Sequence, residues 1–136
     1  LKQLCSMLHK DSIHFMPYTS SPEKYMMASD VCCLPSYREG FGSVIIESAS
    51  CGIPAIGSRI YGLTDSIIDR KTGFLVDVGD IENLAERMII LAKDKSLRRR
   101  MGNLARKRVH EKFNQQLVVG RLLDFIDEEL YEFERK

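Results

Sequence analysis

The sequence predicts an α/β fold in which a parallel sheet is covered by helices. Strand patterns and helical patterns alternate along most of the 136 residues, an order typical of parallel sheets. One apolar run, VCCLP at 31–35, is stopped by proline, as expected for a strand buried on both faces. After residue 95 the pattern is wholly helical, so we expect the fold to end in two helices.

The first elements are short. Residues 1–9 resemble the tail of a helix, and SIHFM at 12–16 predicts a short strand that ends before a proline. Ser21 as an N-cap and Pro22 at the first helical position predict a helix over 21–30.

The central elements follow the strand at 31–35. We expect a helix over 43–51 that Gly52 closes, and then a strand over 54–58. Thr64 or Asp65 is predicted to cap a short helix after that strand.

The last strand and three longer helices complete the pattern. TGFLVDV at 72–78 predicts a strand, and Asp80 is expected to cap the helix after it. That helix carries an apolar stripe at helical spacing: Ile81, Leu84, Ala85, Met88, Ile89 and Ala92. A strongly basic helix over 96–112 and an amphipathic helix over 115–135 follow.

Composition excludes several classes of protein. A hydrophobic fraction of 44% and a charged fraction of 29% indicate a globular protein, and 136 residues suffice for one domain. The net charge of +1 gives no reason to expect nucleic acid as a partner. Without an apolar run of membrane-spanning length or a signal-peptide pattern, the chain is expected to be cytoplasmic.

The four cysteines show neither a CxxC pair nor a spacing suited to zinc. We interpret them as small buried thiols, with a metal or redox role as the alternative. They are Cys5, Cys32, Cys33 and Cys51.

The loop at 36–42 is the candidate ligand site. It leaves the carboxyl end of a predicted strand, where α/β sheets bind ligands. Gly40 and Gly42 allow a tight turn and a close approach of the backbone to a ligand. The free N–H groups at the start of the next helix suit a phosphate, and Ser43 adds a hydroxyl donor.

Two carboxylates flank this helix start. Glu39 lies in the loop and Glu47 just over one turn into the helix, and a carboxylate can accept two hydrogen bonds from a vicinal diol. One glutamate that binds sugar hydroxyls and another that binds a ribose diol, with a diphosphate between them, would form a sugar-nucleotide site. The spacing alone is weak evidence, since about two or three such acidic pairs are expected by chance, and Glu47 could be simply a solvated helix residue.

The stretch PSYREGFGSVIIESASCGIPAIGS resembles the signature of the retaining glycosyltransferases of family 4, the group 1 glycosyltransferases with the GT-B fold. The Glu-x7-Glu motif of that family falls on Glu39 and Glu47. The resemblance extends from Ile13 to about Phe113. It implies a Rossmann-like sheet that is the C-terminal half of a GT-B fold, lacking its first two strands.

The resemblance also implies roles for these residues. Glu39 would be the catalytic residue that contacts the donor sugar, and Glu47 would hold the ribose. The backbone around Gly40, Phe41, Gly42 and Ser43 would meet the sugar and the diphosphate. No metal or other cofactor is implied, and the chain has no Asp-x-Asp motif.

Two positions depart from the usual pattern of this family. Met16 or Pro17 stands where it usually has Gly, so base contacts there stay open, and Tyr18 is a candidate for stacking on the base. Asp65 stands where the family often has Glu, and we interpret it as a helix cap.

The resemblance covers only part of a complete family member. An N-terminal acceptor domain and the first two strands of the donor domain have no counterpart here. We therefore interpret residues 1–136 as a single, N-terminally truncated nucleotide-sugar-binding domain, inactive on its own, with an orphaned strand at 12–16 and an exposed sheet edge.

The predicted function is hexose transfer from a nucleoside-diphosphate sugar to a saccharide or lipid-linked acceptor, in polysaccharide biosynthesis, with the acceptor held by the N-terminal domain. A non-catalytic sugar-nucleotide-binding module of the same fold is the alternative, and a sugar-nucleotide epimerase is a remoter one. The basic cluster from Lys95 to Arg108 allows peripheral contact with the anionic inner membrane surface or binding of a lipid-diphosphate acceptor, or is a solvated helix face.

Overall fold

A three-stranded parallel sheet is the centre of the fold. The structure, a computed structural model, describes Cys5 and residues 12–134. The strands lie in the order β1-β2-β3. They are β1 (Cys32–Leu34), β2 (Ala55–Ser58) and β3 (Gly73–Val76), with Cys32 opposite Ala55 and Ala55 opposite Gly73.

Helices connect the strands and follow the last one. Those described are α1 (Pro22–Met27), α2 (Ser43–Ser50), α3 (Leu63–Ser66), α4 (Ile81–Lys93), α5 (Lys95–Lys112) and α6 (Gln115–Glu134). Helix α2 packs on β1 and β2, whereas α4 packs on β2 and β3. The α/β class, with two helices at the carboxyl end of the chain, is thereby confirmed.

The sheet has an apolar core on each face, because successive side chains of a strand point to opposite sides. One core joins the sheet to α2 and α3 through Ile45, Ala55, Leu63, Ile67 and Leu75. The other joins it to α4 and α5 through Ile56, Phe74, Val76, Leu91 and Met101.

Helix α5 reaches across the protein to the end of α2. Gly102, which is buried in α5, lies so close to the backbone of Gly52 that a Cβ atom would overlap the Gly52 carbonyl oxygen. Gly52 itself has φ +78°, the left-handed conformation expected after the end of a helix. The predicted closure of α2 at this residue is confirmed.

The segment 12–16 does not form the predicted strand and has no regular secondary structure. A strand needs a neighbour to satisfy its N–H and C=O groups, and β1 pairs with β2 alone among the described residues. The side chains of Ile13 and Phe15 are 40% and 46% exposed, so neither is buried in the core. The helix predicted at 1–9 lies outside the described residues except for Cys5.

The prediction that the strand at 31–35 is buried on both faces is wrong, as is that of four buried thiols. Cys33 is exposed, whereas Cys32 and Cys51 are half-buried. Cys33 points to the face where α4 covers β2 and β3, so β1 is left open there. Burial raises the pKa of Cys32, which keeps that thiol protonated and unreactive at neutral pH.

The structure confirms two of the predicted N-cap positions and corrects the third. Asp80 caps α4, with its Oδ1 accepting a hydrogen bond from the Asn83 amide at 2.9 Å. Neither Thr64 nor Asp65 caps a helix, because α3 begins at Leu63, directly after Gly62 at φ +88°. Ser21 stands at the N-cap of α1 as predicted, but its side chain makes no capping hydrogen bond.

The apolar stripe predicted along α4 lies largely in solvent. Ile81, Met88 and Ile89 are 75%, 47% and 52% exposed. The helix meets the sheet through Leu91, which is buried, and through Leu84, which is half-buried. Periodicity therefore predicted the helix correctly, but of the predicted stripe only Leu84 packs against the core.

Candidate functional site

The loop between β1 and α2 leaves the carboxyl end of the sheet, as predicted. Within this loop the hydroxyl of Ser36 donates a hydrogen bond to Oε1 of Glu39 at 3.1 Å. Glu39 is half-buried. Within the loop, only its Oε1 atom accepts a hydrogen bond, and Oε2 does not. Ser36 thus orients Glu39, a role that the sequence did not reveal.

The loop ends in a backbone conformation that only glycine adopts readily. Gly42 is the N-cap of α2 with φ 68° and ψ 56°, and a Cβ atom there would overlap the side chain of Leu63. No side chain of the described residues caps α2, and its first turn contains no acidic residue. Of the first N–H groups of α2, that of Ile45 donates to the Gly42 carbonyl oxygen at 2.8 Å, which leaves those of Ser43 and Val44 to bind an anion.

Ser43 and Glu47 lie on the same side of α2. They are four residues apart, which places one directly above the other on a helix, and both are exposed. A hydroxyl and a carboxylate thus lead away from the helix start along one accessible face. The structure brings Gly40, Phe41, Gly42 and Ser43 together with Glu39 in one continuous turn, and Glu47 lies one turn further along α2.

The loop that leads into α3 packs against the β1–α2 loop. Gly62, at the start of α3, packs against the loop so closely that a Cβ atom would lie 2.5 Å from the Gly40 carbonyl oxygen and 2.8 Å from that of Glu39. The open side of the loop is at Gly40, where a Cβ atom would meet nothing within 4 Å. A ligand can therefore approach the backbone at Gly40 from solvent.

The ring of Phe41 packs against that of Phe113, the residue directly after the end of α5. The ring centroids are 5.3 Å apart and the planes make an angle of 67°, an edge-to-face arrangement. Phe41 is 41% exposed, so one side of its ring also faces solvent beside the candidate site.

A cavity of about 320 Å³ adjoins the site on the other side of the β1–α2 loop. It lies over the carboxyl ends of the three strands and the start of α4. Its lining comprises Pro35, Ser36, Tyr37, Ser58, Val76, Asp77, Val78, Gly79, Asp80, Ile81 and Leu84. None of the six predicted site residues is in this lining, so the predicted site is an open surface beside the cavity.

Charged side chains hold the ends of β2 and β3 together near this cavity. Arg59 forms ion pairs with Asp69 at 3.0 Å and with Asp77 at 3.4 Å. Burial alone would raise the pKa of Asp69, but hydrogen bonds from the Leu75 amide and from Arg59 lower it below its usual value. The Asp69 hydrogen bond likewise raises the pKa of Arg59.

The other residues that the sequence suggested for ligand binding are not part of the loop, or they bind other parts of the protein. Tyr18 is 97% exposed in an irregular segment, so its contact with a base stays a prediction. Asp65 contributes a backbone contact, because its carbonyl oxygen accepts a hydrogen bond from Arg108 Nη2 at 2.7 Å. Within the basic cluster, Arg98 pairs with Asp30 at 3.1 Å and binds carbonyl groups at the end of α4.

The described residues contain neither a cluster of metal-ligating side chains nor a helix that could span a membrane. No group of three or more His, Cys, Asp or Glu side chains in this part of the chain is arranged to hold a metal ion. None of the helices that the structure describes combines the length and the apolar character needed to cross a membrane.

Comparison with known proteins relates the chain to one family. The family model described as "Glycosyl transferases group 1" matches residues 1–108. N-acetyl-alpha-D-glucosaminyl L-malate synthase of Bacillus anthracis is 37% identical over 119 residues, which are 87% of this chain and 31% of that protein. The capsular polysaccharide biosynthesis glycosyltransferase CapM of Staphylococcus aureus is 34% identical over 125 residues, 92% of this chain and 33% of that protein.

The fold is likewise found in solved structures. The sucrose-phosphate synthase (tll1590) of Thermosynechococcus elongatus superposes with a TM-score of 0.91 at 29% identity, over 96% of this chain and 34% of that one. The chain therefore spans about a third of the length of the proteins that it matches.

Proposed function

Because this chain belongs to the glycosyl transferases group 1 family, whose fold is GT-B, we propose that it is the donor-binding part of a retaining hexosyltransferase. The donor is a nucleoside-diphosphate sugar, and the acceptor is a saccharide or a lipid-linked saccharide. Family 4 is the retaining group whose motif the chain carries. The name of CapM, a capsular polysaccharide biosynthesis enzyme, supports a role in polysaccharide biosynthesis.

The observation that carries this proposal is the uncapped start of α2, directly after the Glu39–Gly42 turn. The diphosphate binds the free N–H groups there, where the helix dipole favours negative charge. The sugar then lies on the side of Gly40 and Glu39, where the backbone is open to solvent. The ribose lies on the side of Ser43 and Glu47, the exposed face of α2.

The reaction uses this arrangement to stabilise the leaving group. The bond between the anomeric carbon and the diphosphate oxygen breaks, and the acceptor oxygen bonds to that carbon on the same face of the sugar. The proton of the acceptor hydroxyl passes to the departing diphosphate. As negative charge grows on the diphosphate, the N–H groups of α2 bind it more strongly, which lowers the barrier without a metal ion. Glu39, oriented by Ser36, positions the sugar.

Sugar transfer by the full-length protein tests this proposal. Donors with different bases and sugars are screened against saccharide and lipid-linked acceptors, and NMR determines the anomeric configuration of the product. We expect a product with the anomeric configuration of the donor. Glu39→Gln should lower kcat on the order of a hundredfold, because its positioning charge is lost.

Glu82→Gln is the matched control, since Glu82 is an exposed glutamate in the first turn of α4 that belongs neither to the loop nor to the cavity lining. It should leave transfer unchanged. If Glu39→Gln is as active as Glu82→Gln, the catalytic role of Glu39 is wrong. If the full-length protein binds nucleotide sugars but transfers none of them, the non-catalytic module is the better description.

A further inference from the structure

The ring contact between Phe41 and Phe113 joins the candidate donor loop to a distant part of the chain. The rings meet edge to face with centroids 5.3 Å apart, although 72 positions separate them in the sequence. Phe41 stands between Gly40 and Gly42, two residues that leave the backbone freedom to move. A fixed partner for the Phe41 side chain therefore restricts a loop that its own sequence makes flexible.

Phe113 is itself well anchored. It is half-buried at the end of α5, and its N–H donates a hydrogen bond to the Val109 carbonyl oxygen at 2.9 Å. The guanidinium of Arg108 lies over its ring, 5.3 Å from the centroid, a cation–π contact. Arg108 also binds the carbonyl oxygen of Asp65 at 2.7 Å, which ties this corner to α3.

The two sides of the loop thus rest on different supports. Gly62 of the α3 start packs behind the carbonyl groups of Glu39 and Gly40, and Phe113 holds the side chain of Phe41. Both supports belong to the same corner, because Arg108 links Phe113 to α3. The turn at 39–42 is therefore held in shape before any ligand binds, which lowers the entropic cost of ordering it on binding.

We propose that Phe113 is a positioning residue of the donor site, whose ring holds Phe41 and thereby the turn at 39–42 in its ligand-binding shape. The inference rests on the function proposed above. Phe113 acts through Phe41 and makes no contact with substrate of its own. A purely structural role would instead affect stability and leave donor binding unchanged.

Steady-state kinetics of the full-length protein separate these two roles. Phe113→Leu keeps an apolar side chain but removes the ring, so the KM for the donor should rise about twofold to tenfold, the range set by one aromatic pair. The KM for the acceptor should not change. Phe113→Tyr keeps the ring and should restore the wild-type KM for the donor.

Val109→Ala is the control for stability. Val109 lies one turn earlier in α5 and lines the same small cavity as Phe113, in a lining that does not include Phe41. It should lower the melting temperature without raising the KM for the donor. If Phe113→Leu does not yield folded protein, Phe113→Met fills the same space with a flexible side chain and is measured in its place.

A double-mutant cycle decides whether Phe113 acts through Phe41. In a Phe41→Leu background, Phe113→Leu should not raise the KM for the donor further. Additive effects of the two substitutions, or an unchanged KM in Phe113→Leu, would overturn the inference. If the wild-type protein is active and sensitive to Glu39→Gln, such results leave the proposed function intact, whereas an inactive wild-type protein overturns both.

Discussion

Asp69 joins three parts of the chain that meet at the carboxyl ends of β2 and β3. Its Oδ1 accepts a hydrogen bond from the Leu75 amide at 3.0 Å, and its Oδ2 pairs with Arg59 at 3.0 Å. Arg59 also donates to the Leu75 carbonyl oxygen at 3.1 Å. The carboxylate therefore fixes the strand ends from which the loops around the site depart.

Asp69→Asn should lower the free energy of unfolding by about 1–2 kcal/mol at pH 7, because a charge-assisted pair is lost. The pKa of Asp69 is lowered in the folded protein, so its stabilisation is complete above the pKa of the unfolded chain and is lost as the pH falls through the folded one. The difference in the free energy of unfolding between wild type and Asp69→Asn should therefore become smaller below about pH 4, as measured by denaturant titrations.

Asp77 provides the matched control, since it pairs with the same arginine but its side chain is 78% exposed. Asp77→Asn should change the free energy of unfolding by less than about 0.5 kcal/mol. Equal effects of the two substitutions at pH 7, or a difference for Asp69→Asn that grows in acid, would contradict this view of the network.

The sequence predicted individual residues where chemistry is local and failed where it depends on distant contacts. The Asp80 cap needs only the next three residues, and it is confirmed. The predicted cap at Thr64 or Asp65 failed, since Gly62 packs against the loop at 39–42 and fixes an earlier start for α3. Phe113 could not be assigned to the site, because its partner lies 72 positions earlier.

Helix α5 depends on the absence of a side chain at Gly102. The helix crosses the backbone of Gly52 there, and neighbouring Met101 and Ala105 are buried in the same contact region. Gly102→Ala would force the helix away from Gly52, since a carbonyl oxygen cannot yield as a flexible side chain does. We expect a loss of about 3 kcal/mol or more in thermal unfolding, or failure to fold.

Gly120→Ala is the matched substitution in α6, where a Cβ atom would meet nothing within 4 Å. Alanine is the better helix former, so this variant should gain helix content in circular dichroism and should not melt at a lower temperature. If Gly102→Ala is as stable as Gly120→Ala, the close packing of α5 on Gly52 is wrong.

The sequence predicted the helices and strands more accurately than it predicted which of their side chains are buried. The alternation of strands and helices predicted the parallel sheet, because that order has few other solutions. The segment 12–16 has strand-forming residues but no partner strand within the described chain, and pattern alone cannot show this. Helix α4 meets the sheet through Leu84, which belongs to the predicted stripe, and through Leu91, which does not, so tertiary packing leaves most of the stripe exposed.

At the scale of the whole molecule, the candidate site follows the carboxyl end of β1 and lies outside the cavity lining. The chain spans about a third of the length of its relatives, and the predicted donor residues form an open surface beside a cavity of about 320 Å³. The sequence motif located the turn and the helix start correctly, whereas the cavity, built from three strand ends and α4, had no local signal.

Equilibrium binding to the full-length protein tests the central claim most directly. Calorimetry compares the nucleoside diphosphate that binds best among UDP, ADP and GDP with its sugar derivative. We predict that Glu47→Ala weakens both ligands about tenfold or more, because each contains the ribose. Glu39→Ala should weaken only the sugar derivative. If Glu47→Ala binds both ligands as tightly as wild type does, the placement of the nucleotide along α2 is wrong.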